Sequence, residues 1–372
     1  MFTQNQSISG ITIDSIITSG NTTWILTPDG KLYGCGLNSA GQQGSGDTNY
    51  VSTFTQRLAS LTIAQVACTA FSTWVVTTDG KLYGCGEGTY GKQGNGETSN
   101  VTTFTQRLEN ETIKQVACSQ FTTWAVTTDG KLYGCGGGST GQQGSGGTSN
   151  VTTFTQRLAN KTIAYVACSN YTTWAVTTDG KLYGCGEGTY GKQGSGNGNN
   201  VKTFTQRLAS LTIAQVVCND YTTWALTTNG KLYGCGHGGY GQQGSGGTSN
   251  VLTFTQRLTN ETIKQIASNT ITTWAVTTDG KLYGCGDNTY GQQGDGTLNN
   301  VLTFSQRLAN MSVARIVSSS QTTWVLVDDG VEVHIKVNGA WVTGTPYVKI
   351  NGTWEEATKV FVKVNGTWKE SI

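Results

Sequence analysis

One stretch of fifteen residues returns at a constant interval along most of the chain. Copies or near-copies of TTWAVTTDGKLYGCG occupy 22–36, 72–86, 122–136, 172–186, 222–236 and 272–286. Its tryptophan recurs every 50 residues from Trp24 to Trp324, with no insertion or deletion. A fixed period of this length is typical of solenoids, propellers and arrays, so the chain is built from one repeated structural unit.

The unit reads as four short β-strands. In the copy at 61–110, β-forming runs at 63–68, 73–77, 81–85 and 103–108 are separated by Gly- and Asp-containing segments. Asp79-Gly80 predicts a hairpin with a type I′ turn, because both residues tolerate positive φ values. The small residues at the end of the first strand, Ala67-Cys68, favour a position close to a crowded axis. Four antiparallel strands per unit, repeated radially, indicate a β-propeller blade.

The two ends of the repeat region predict how many blades there are. Six complete units span 11–310, and a seventh begins at Met311 but lacks the FTQRL strand that ends the others. Phe2-Thr3-Gln4 copies the start of FTQRL, so we expect an N-terminal strand to complete the last blade and remove an open sheet edge. The predicted fold is all-β: a seven-bladed β-propeller at 1–330 followed by a β-hairpin tail at 331–372. Residues 331–337 could alternatively complete blade seven.

The overall composition argues against several classes of partner. Charged residues make up 12% of the chain and the formal net charge is +2, so no strongly basic surface for binding nucleic acid is expected. The opening residues MFTQNQSISG are polar, so no signal peptide is expected. No apolar run is long enough to cross a bilayer, and membrane insertion is not expected.

The ten cysteines fall at two positions of the repeat. The third strand holds Cys35, Cys85, Cys135, Cys185, Cys235 and Cys285, and the first strand holds Cys68, Cys118, Cys168 and Cys218. The second strand separates these two sets by about 10 Å, whereas a disulfide needs Cα atoms within about 7 Å. We therefore expect reduced, mostly buried thiols. With no CxxC motif and only two histidines, neither a metal nor a cofactor is predicted.

No group of residues breaks the repeat in the way an active site should. The GQQGSG loops recur in every unit and never end in GK[ST], so their glycines are interpreted as turn formers and not as a phosphate cradle. Glu87, Glu187 and Asp287 are predicted to be solvated surface carboxylates. His237 occupies the same position in its unit without an evident partner. The sequence therefore predicts a protein that is not an enzyme.

The copies differ most on one predicted face. Turns between strands one and two, and loops between strands three and four, emerge on the same side of antiparallel blades. The aromatic residues there are Phe71, Phe121, Tyr171 and Tyr221 in the turns, and Tyr90, Tyr190, Tyr240 and Tyr290 in the loops. They could bind a sugar or a protein partner, or they could pack between blades. We take them as the candidate binding face.

An arginine recurs in the fourth strand of each complete unit. It stands at Arg57, Arg107, Arg157, Arg207, Arg257 and Arg307. If this strand is the outermost, a charged residue there would discourage pairing with other sheets. We favour that interpretation over a basic belt for nucleic acid.

The order DGKLYGCG, short loop, GQQGSG, strand resembles the repeat of the regulator of chromosome condensation family, over about 330 residues. The resemblance implies a seven-bladed propeller. It implies functions as varied as nucleotide exchange on small GTPases, accessory domains of ubiquitin ligases, and secreted inhibitors of β-lactamases. The exchange factors carry a protruding wedge between blades. Units of constant length leave no room for it here, which argues against exchange activity.

The C-terminal segment carries its own repeat. Val337-Asn338-Gly339-Ala340-Trp341 is followed by similar segments ending in Trp354 and Trp368, and each Asn-Gly predicts a hairpin. The ending VKVNGTWKE resembles those of bacteriophage tail and other virion proteins. This resemblance implies a non-enzymatic virion component made in the host cytoplasm.

In that interpretation Trp341, Trp354 and Trp368 dock the tail onto other virion proteins. The propeller face would then meet a host surface glycan or protein, or act as a spacer. The alternative is a protein- or carbohydrate-binding propeller, inhibitor-like or lectin-like, that is not part of a virion.

Overall fold

The computed structural model of the protein describes residues 12–318 and the strands at 323–328, 333–337, 340–344, 347–350, 353–356, 360–364 and 367–371. Six four-stranded antiparallel sheets follow one another, each with its strands in chain order, and we call them blades 1 to 6. A two-stranded sheet comes next. The all-β class and the repeated four-stranded unit are confirmed. The count of seven stays a prediction, and the closing strand at Phe2-Thr3-Gln4 lies outside the described residues.

The strands fall at equivalent positions in the six blades. The first strands are β1 Ser15–Ser19, β5 Ile63–Cys68, β9 Ile113–Cys118, β13 Ile163–Cys168, β17 Ile213–Cys218 and β21 Ile263–Ser268. The second strands are β2 Thr22–Leu26, β6 Ser72–Thr77, β10 Thr122–Thr127, β14 Thr172–Thr177, β18 Thr222–Thr227 and β22 Thr272–Thr277. The third strands are β3 Leu32–Gly36, β7 Leu82–Gly86, β11 Leu132–Gly136, β15 Leu182–Gly186, β19 Leu232–Gly236 and β23 Leu282–Gly286. The fourth strands are β4 Val51–Arg57, β8 Val101–Arg107, β12 Val151–Arg157, β16 Val201–Arg207, β20 Val251–Arg257 and β24 Val301–Arg307.

Among the residues that the structure describes, helical structure is limited to two single turns of 3-10 helix, η1 Thr89–Gly91 and η2 Thr189–Gly191. Across the described residues, no helix is long and apolar enough to span a membrane. The strands β25 Ser312–Ser318 and β26 Thr323–Asp328 pair with each other after blade 6.

The hydrophobic core lies between adjacent blades. Trp74 and Leu82 of blade 2 pack with Ile113 and Val116 of blade 3. The Trp74 ring also meets Phe154 of blade 3 edge-on, with centroids 5.7 Å apart. Equivalent clusters fill the other described junctions. Each blade is therefore stabilised by its neighbours.

The tryptophan explains the first glycine of the GCG motif. Trp74 is completely buried, and its ring lies flat against the third strand at Gly84. A Cβ at Gly84 would come within 2.4 Å of Trp74 Cζ3, which no side chain can tolerate. The motif is thus a packing device that lets a large ring approach the backbone.

The first strands are the innermost, as predicted. The side-chain amide of Gln65 in blade 2 bonds to the backbone of Val116 in blade 3: Nε2 donates to the carbonyl and Oε1 accepts from the N–H, both at 3.0 Å. Gln115 bonds Val166 in the same two ways. These amides extend the hydrogen bonding of one inner strand to the next around the axis.

The hairpin at Asp79-Gly80 differs from the prediction. Gly80 has φ +80°, but Asp79 is not among the residues with positive φ, so the turn is not type I′. Gly80 N–H donates to Thr77 O at 2.9 Å and Thr77 N–H donates to Lys81 O at 3.0 Å. Thr77 Oγ1 also donates to the Asp79 carboxylate. The connection is therefore longer than a two-residue turn, and Gly80 is its only residue with a left-handed backbone conformation.

The repeated arginine is also placed differently from the prediction. Arg107 is half-buried, and its Nε donates to the carbonyl of Gln93 in the long loop of its own blade, at 2.8 Å. The strand ends there because Leu108 takes φ +50°, which no strand continues through. The arginine therefore ties the fourth strand to the loop and is not an exposed charge on an edge.

All ten cysteines are free thiols. Cys85 and four of its equivalents in the third strand are buried, while Cys35 and the first-strand cysteines are half-buried. Burial raises the pKa of Cys68 to about 11 and that of Cys118 to about 12. Their thiols therefore stay protonated near neutral pH and act as small apolar side chains.

The C-terminal strands form three hairpins. β27 Val333–Val337 pairs with β28 Ala340–Gly344, β29 Tyr347–Ile350 with β30 Thr353–Glu356, and β31 Val360–Val364 with β32 Thr367–Ser371. The registers place Trp341, Trp354 and Trp368 each opposite a lysine. The side chains of these tryptophans lie outside what the structure describes, so their docking role stays a prediction. The strand at 333–337 pairs within its own hairpin, and the division of the chain at 330 also remains a prediction.

Candidate functional site

The candidate site lies on one face of the blades, which we call the loop face. It is formed by the turns at 19–21, 69–71, 119–121, 169–171, 219–221 and 269–271, and by the loops at 37–50, 87–100, 137–150, 187–200, 237–250 and 287–300. The opposite side carries the Asp-Gly and Asn-Gly hairpins, and we call it the hairpin face.

The long loops of blades 1 to 5 are anchored on the next blade by their glycines, as the loop of blade 1 shows. Gly44 has φ +63°, and a Cβ there would lie 2.3 Å from the Phe104 ring of the next blade. Gly46 N–H donates to Thr102 O of that same outer strand at 2.9 Å. The GQQG stretch thus fits between neighbouring blades, which supports the interpretation of its glycines as conformational.

Six of the eight predicted aromatic residues come together with one histidine. The Tyr90 ring lies 5.4 Å from Phe121, and Phe121 lies 5.2 Å from Tyr171. Further along, Tyr190 lies 5.8 Å from Tyr221. The loop tyrosine of one blade therefore packs on the turn aromatic of the next. We call Tyr90, Phe121, Tyr171, Tyr190, Tyr221, His237 and Tyr240 the aromatic arc; it runs over blades 2 to 5.

The arc is both packed and open to solvent. Tyr90, Tyr190 and Tyr240 are 41%, 37% and 42% exposed, while Phe121 and Tyr171 are half-buried. The two predicted alternatives, packing between blades and exposure for binding, are therefore combined. Rings held by their neighbours lose little conformational freedom when a ligand covers them, which favours binding.

Two predicted residues lie apart from the arc. Phe71 is 41% exposed and Tyr290 is 69% exposed. Within residues 12–318, neither makes a ring contact of the kind that joins the arc. Both face solvent on the loop face but extend no continuous surface.

His237 belongs to the arc, although no partner for it was evident from the sequence. Its ring lies 4.6 Å from Tyr190, 5.5 Å from Tyr221 and 5.9 Å from Tyr240. Gln242 Nε2 lies 2.8 Å from His237 Nδ1 and can only donate, so the imidazole accepts there and is neutral. Burial lowers the pKa of His237 below its ordinary value. The histidine therefore acts as a fourth ring in the packing of this segment.

The carboxylates predicted to be solvated are in fact paired. Lys92 and Lys192 are only 1% exposed, and they form ion pairs with Glu87 and Glu187. Each lysine also donates to a backbone carbonyl of the next blade, Gln120 O at 2.8 Å and Asp220 O at 2.7 Å. Asp287 is only 3% exposed and accepts from Gln292. These groups hold the loops in place.

The two loops that contain Lys92 and Lys192 also have an unusual backbone conformation at a tyrosine two residues earlier. Where glutamine stands at this loop position, its Oε1 accepts from the backbone N–H two residues earlier, as in Gln242 and Tyr240 at 2.9 Å. Lysine has no acceptor to offer. Tyr90 and Tyr190 instead adopt φ +65° and +64°, a region that non-glycine residues seldom occupy. Such outliers cluster at functional sites, so these two rings are of particular interest.

The centre of the loop face is polar. A cavity of about 440 Å³ at the axis is lined by the ends of the first strands and their turns, including Cys118, Asn170 and Asp220. The Asp220 carboxylate accepts from Asn170 N and Asn170 Nδ2 at 3.0 and 2.7 Å. Hydrogen-bonding groups therefore lie beside the aromatic arc.

The loop face presents ring faces and hydrogen-bonding groups. In the part of the chain that the structure describes, no group of three or more His, Cys, Asp or Glu side chains is arranged to hold a metal. The arc offers ring faces for stacking, and the axis offers amides and a carboxylate for hydrogen bonds. This arrangement suits recognition.

Comparison with known proteins identifies the repeat. The RCC1-like domain, named after the regulator of chromosome condensation, matches residues 2–327. The chain belongs to the RCC1-like domain family. The resemblance seen in the DGKLYGCG and GQQGSG motifs is thereby confirmed. No curated protein sequence matches the chain.

Solved structures of RCC1-like proteins share the fold. Human WBSCR16 superposes with a TM-score of 0.68 at 20% identity, covering 86% of this chain and 88% of that one. Yeast RCC1 (Prp20), crystallised bound to Kap60, gives a TM-score of 0.67 at 18% identity over 86% and 81%. Prp20p from Saccharomyces cerevisiae, described with its binding properties to Gsp1p and histones, gives 0.68 at 18% over 85% and 83%.

At these identities the structural similarities establish the propeller-type architecture alone. The two yeast structures are described with proteins that those relatives bind: Kap60 in one case, and Gsp1p and histones in the other. None of the comparisons indicates a virion protein.

Proposed function

We propose that this RCC1-like propeller is a non-catalytic binding protein that holds a partner protein on the aromatic arc. The observation that carries the proposal is the arc itself: two rows of packed, partly exposed rings on the loop face of blades 2 to 5. Aromatic side chains of this kind dominate the energetics of protein interfaces. The family membership supports a protein as the partner, in preference to a glycan.

The arrangement of the blades supports a recognition role. Positions that repeat serve the core, as Trp74 and Gly84 do, whereas the rings of the arc stand at positions that vary between blades. Exchange activity on a GTPase is not part of the proposal, because the units are of constant length and leave no room for an inserted wedge.

A capture experiment with matched variants tests the proposal. The immobilised full-length chain, a Tyr190→Ala/Tyr221→Ala variant and a Tyr50→Ala control would be exposed to extract of the cell that makes the protein. Tyr50 is 74% exposed on the loop of blade 1, outside the arc. We expect a protein retained by the wild type and the control, and retained at least about 30-fold less well by the double variant, as for paired hot-spot residues.

Other outcomes separate the alternatives. Binding on a glycan array that requires Tyr190 and Tyr221, without a retained protein, would show a lectin-like propeller instead. Equal retention by all three chains would mean that the arc is not the docking surface. Thermal unfolding of the double variant checks that any loss of binding is not a loss of fold.

The virion role predicted from the C-terminal hairpins is a separate question. It would place Trp341, Trp354 and Trp368 against other virion proteins and the chain in the particle. This localisation remains a prediction from the tail sequence. Mass spectrometry of purified particles would test it, since a protein found only in infected cytoplasm would not be a virion component.

A further inference from the structure

The aromatic arc consists of two rows of rings on neighbouring blades. Tyr90, Phe121 and Tyr171 form one row, and Tyr190, Tyr221, His237 and Tyr240 form the other, with neighbouring centroids 4.6 to 5.9 Å apart within each row. An extended segment of chain can reach rings that are spread over several blades in this way.

The rings of the arc already accept a cation from the protein itself. Lys192 Nζ lies 5.6 Å from the centroid of the Tyr171 ring. An ammonium or guanidinium at this distance is attracted by the negative face of the ring. The arc therefore shows, with an internal group, the contact that a basic side chain of a partner would make.

The charges of the loop face are strongly unbalanced. Its turns and loops carry seven carboxylates and two lysines; the carboxylates are Asp47, Glu87, Glu97, Glu187, Asp220, Asp287 and Asp295. Both lysines are buried and already paired. Among the described residues, Asp220 and Asp287 form no ion pair at all. Of the basic residues outside these turns and loops, Arg307 of β24 pairs with Asp295 at 3.4 Å, and Lys202 lies in the outer strand β16.

The environment of Tyr171 agrees with a negative field at the arc. Its pKa is raised, first by burial and then by the charges of Asp220 and Glu187. Burial disfavours a charge of either sign, so only the part of the shift that comes from Asp220 and Glu187 indicates attraction of a positive charge.

The hairpin face provides the contrast. Asp29, Asp79 and Asp279 pair there with Lys31, Lys81 and Lys281 at 2.6, 2.9 and 3.0 Å. The carboxylates of these hairpins are thus neutralised within their own turns, whereas Asp179 lies two residues from Lys181 without an ion pair among the described contacts. The imbalance is a property of the loop face alone.

We propose that the segment docked on the aromatic arc is basic: an extended stretch of a partner protein that lays arginine or lysine side chains over the Tyr171, Tyr190 and Tyr221 rings, close to Asp220. This inference rests on the proposed function, since it names the chemistry of the partner that the arc would hold.

Labelled peptides test it directly. The probes are a fluorescent decapeptide of alternating arginine and glycine and the same peptide with citrulline, which keeps the shape of arginine without its charge. Titrated with the full chain, the arginine peptide should bind, with affinity falling as salt rises, and the citrulline peptide should bind at least about fivefold more weakly.

Two substitutions provide a matched pair. Each introduces the residue that already occupies the equivalent position in another blade. Asp220→Asn on the loop face copies Asn170, and Asp179→Asn on the hairpin face copies Asn229. We expect Asp220→Asn to weaken the arginine peptide about threefold to tenfold, and Asp179→Asn to leave it unchanged.

The outcomes distinguish this inference from the proposed function. Equal binding of the two peptides, equal effects of the two substitutions, or no binding of the arginine peptide would overturn the basic partner. If a protein is still captured through Tyr190 and Tyr221 in that case, the docking role of the arc stands and its partner is not basic. If that capture is absent as well, the proposed function fails too.

Discussion

The two faces of the propeller come from the same repeat but are used differently. On the hairpin face, Thr77, Asp79, Gly80 and Lys81 form a closed set of hydrogen bonds and an ion pair that recurs with little change in the other blades. On the loop face, equivalent positions hold Ala40, Tyr90, Thr140, Tyr190, Tyr240 and Tyr290. The exposed positions of the loop face therefore vary more than the hairpins do, and recognition can be built there with little loss of stability.

The largest difference is expected between a substitution in the repeated core and one on the loop face. Trp124→Ala should lower the free energy of unfolding by about 3–5 kcal/mol, because the indole is completely buried between blades 3 and 4. Tyr190→Ala, a ring of similar character on the loop face, should cost about 1 kcal/mol or less. Urea titrations of both variants measure this. Similar losses in the two would mean that the arc is part of the core.

Two glycines sharpen the same comparison within one blade. A Cβ at position 134 would lie 2.3 Å from Trp124 Cζ3. Gly134→Ala should therefore lower the free energy of unfolding by about 1–3 kcal/mol through overpacking. Gly147→Ala is the control, since nothing lies within 4 Å of its Cβ position on the loop face. It should be neutral or slightly stabilising. A neutral Gly134→Ala in urea unfolding would contradict the packing of the ring on the third strand.

The third test concerns the pose of Tyr90. Glu87→Gly with Lys92→Gln gives blade 2 the residues of blade 3, Gly137 and Gln142. The new glutamine should accept from the Tyr90 N–H, as Gln142 accepts from Thr140 N–H at 2.9 Å, and return φ of Tyr90 to negative values. Stability should change by about 1 kcal/mol or less. A crystal structure of the variant with Tyr90 still near +65° would show that the lysine does not set this pose.

The smallest effect is expected from pH. Burial lowers the pKa of His237 in the folded protein below its ordinary value of about 6.5. Below that pH the unfolded chain therefore binds a proton on His237 more readily than the folded chain does. This contribution to stability is complete above that pH and is lost as the pH falls through it. His237→Gln removes the contribution, so its melting temperature should fall less than that of the wild type between about pH 7.5 and 5. Parallel curves would mean that His237 is not held neutral by Tyr190, Tyr221, Tyr240 and Gln242.

Much of the fold follows from the sequence because the unit repeats without interruption. The 50-residue period and the short β-forming runs give the four strands of each blade to within one or two residues. The turn type at Asp79-Gly80 was wrong because that dipeptide also suits a longer loop, in which only the glycine needs positive φ. The arginines were misplaced because a long side chain can turn back to its own loop, as Arg107 does to Gln93.

The aromatic residues of the site were predicted from the sequence, but the contacts between them were not. Tyr190 and Tyr221 belong to different blades, so their contact depends on how blades pack, and period and composition do not specify that. The same holds for the burial of Lys92 and Lys192. A signal was present in the internal repeats: glutamate at 87 and 187 occurs together with lysine at 92 and 192, and in no other complete unit. Paired variation of that kind indicates an ion pair.

Site-specific photocrosslinking tests the docking role of the aromatic arc most directly. Benzoylphenylalanine would replace Tyr190 in the arc, Tyr50 outside it, or Lys81 on the hairpin face, and each chain would be irradiated in extract of the producing cell. A protein adduct formed at position 190, and only weakly at 50 and 81, is the predicted result. Adducts as strong at 81 as at 190 would contradict a partner held on the loop face.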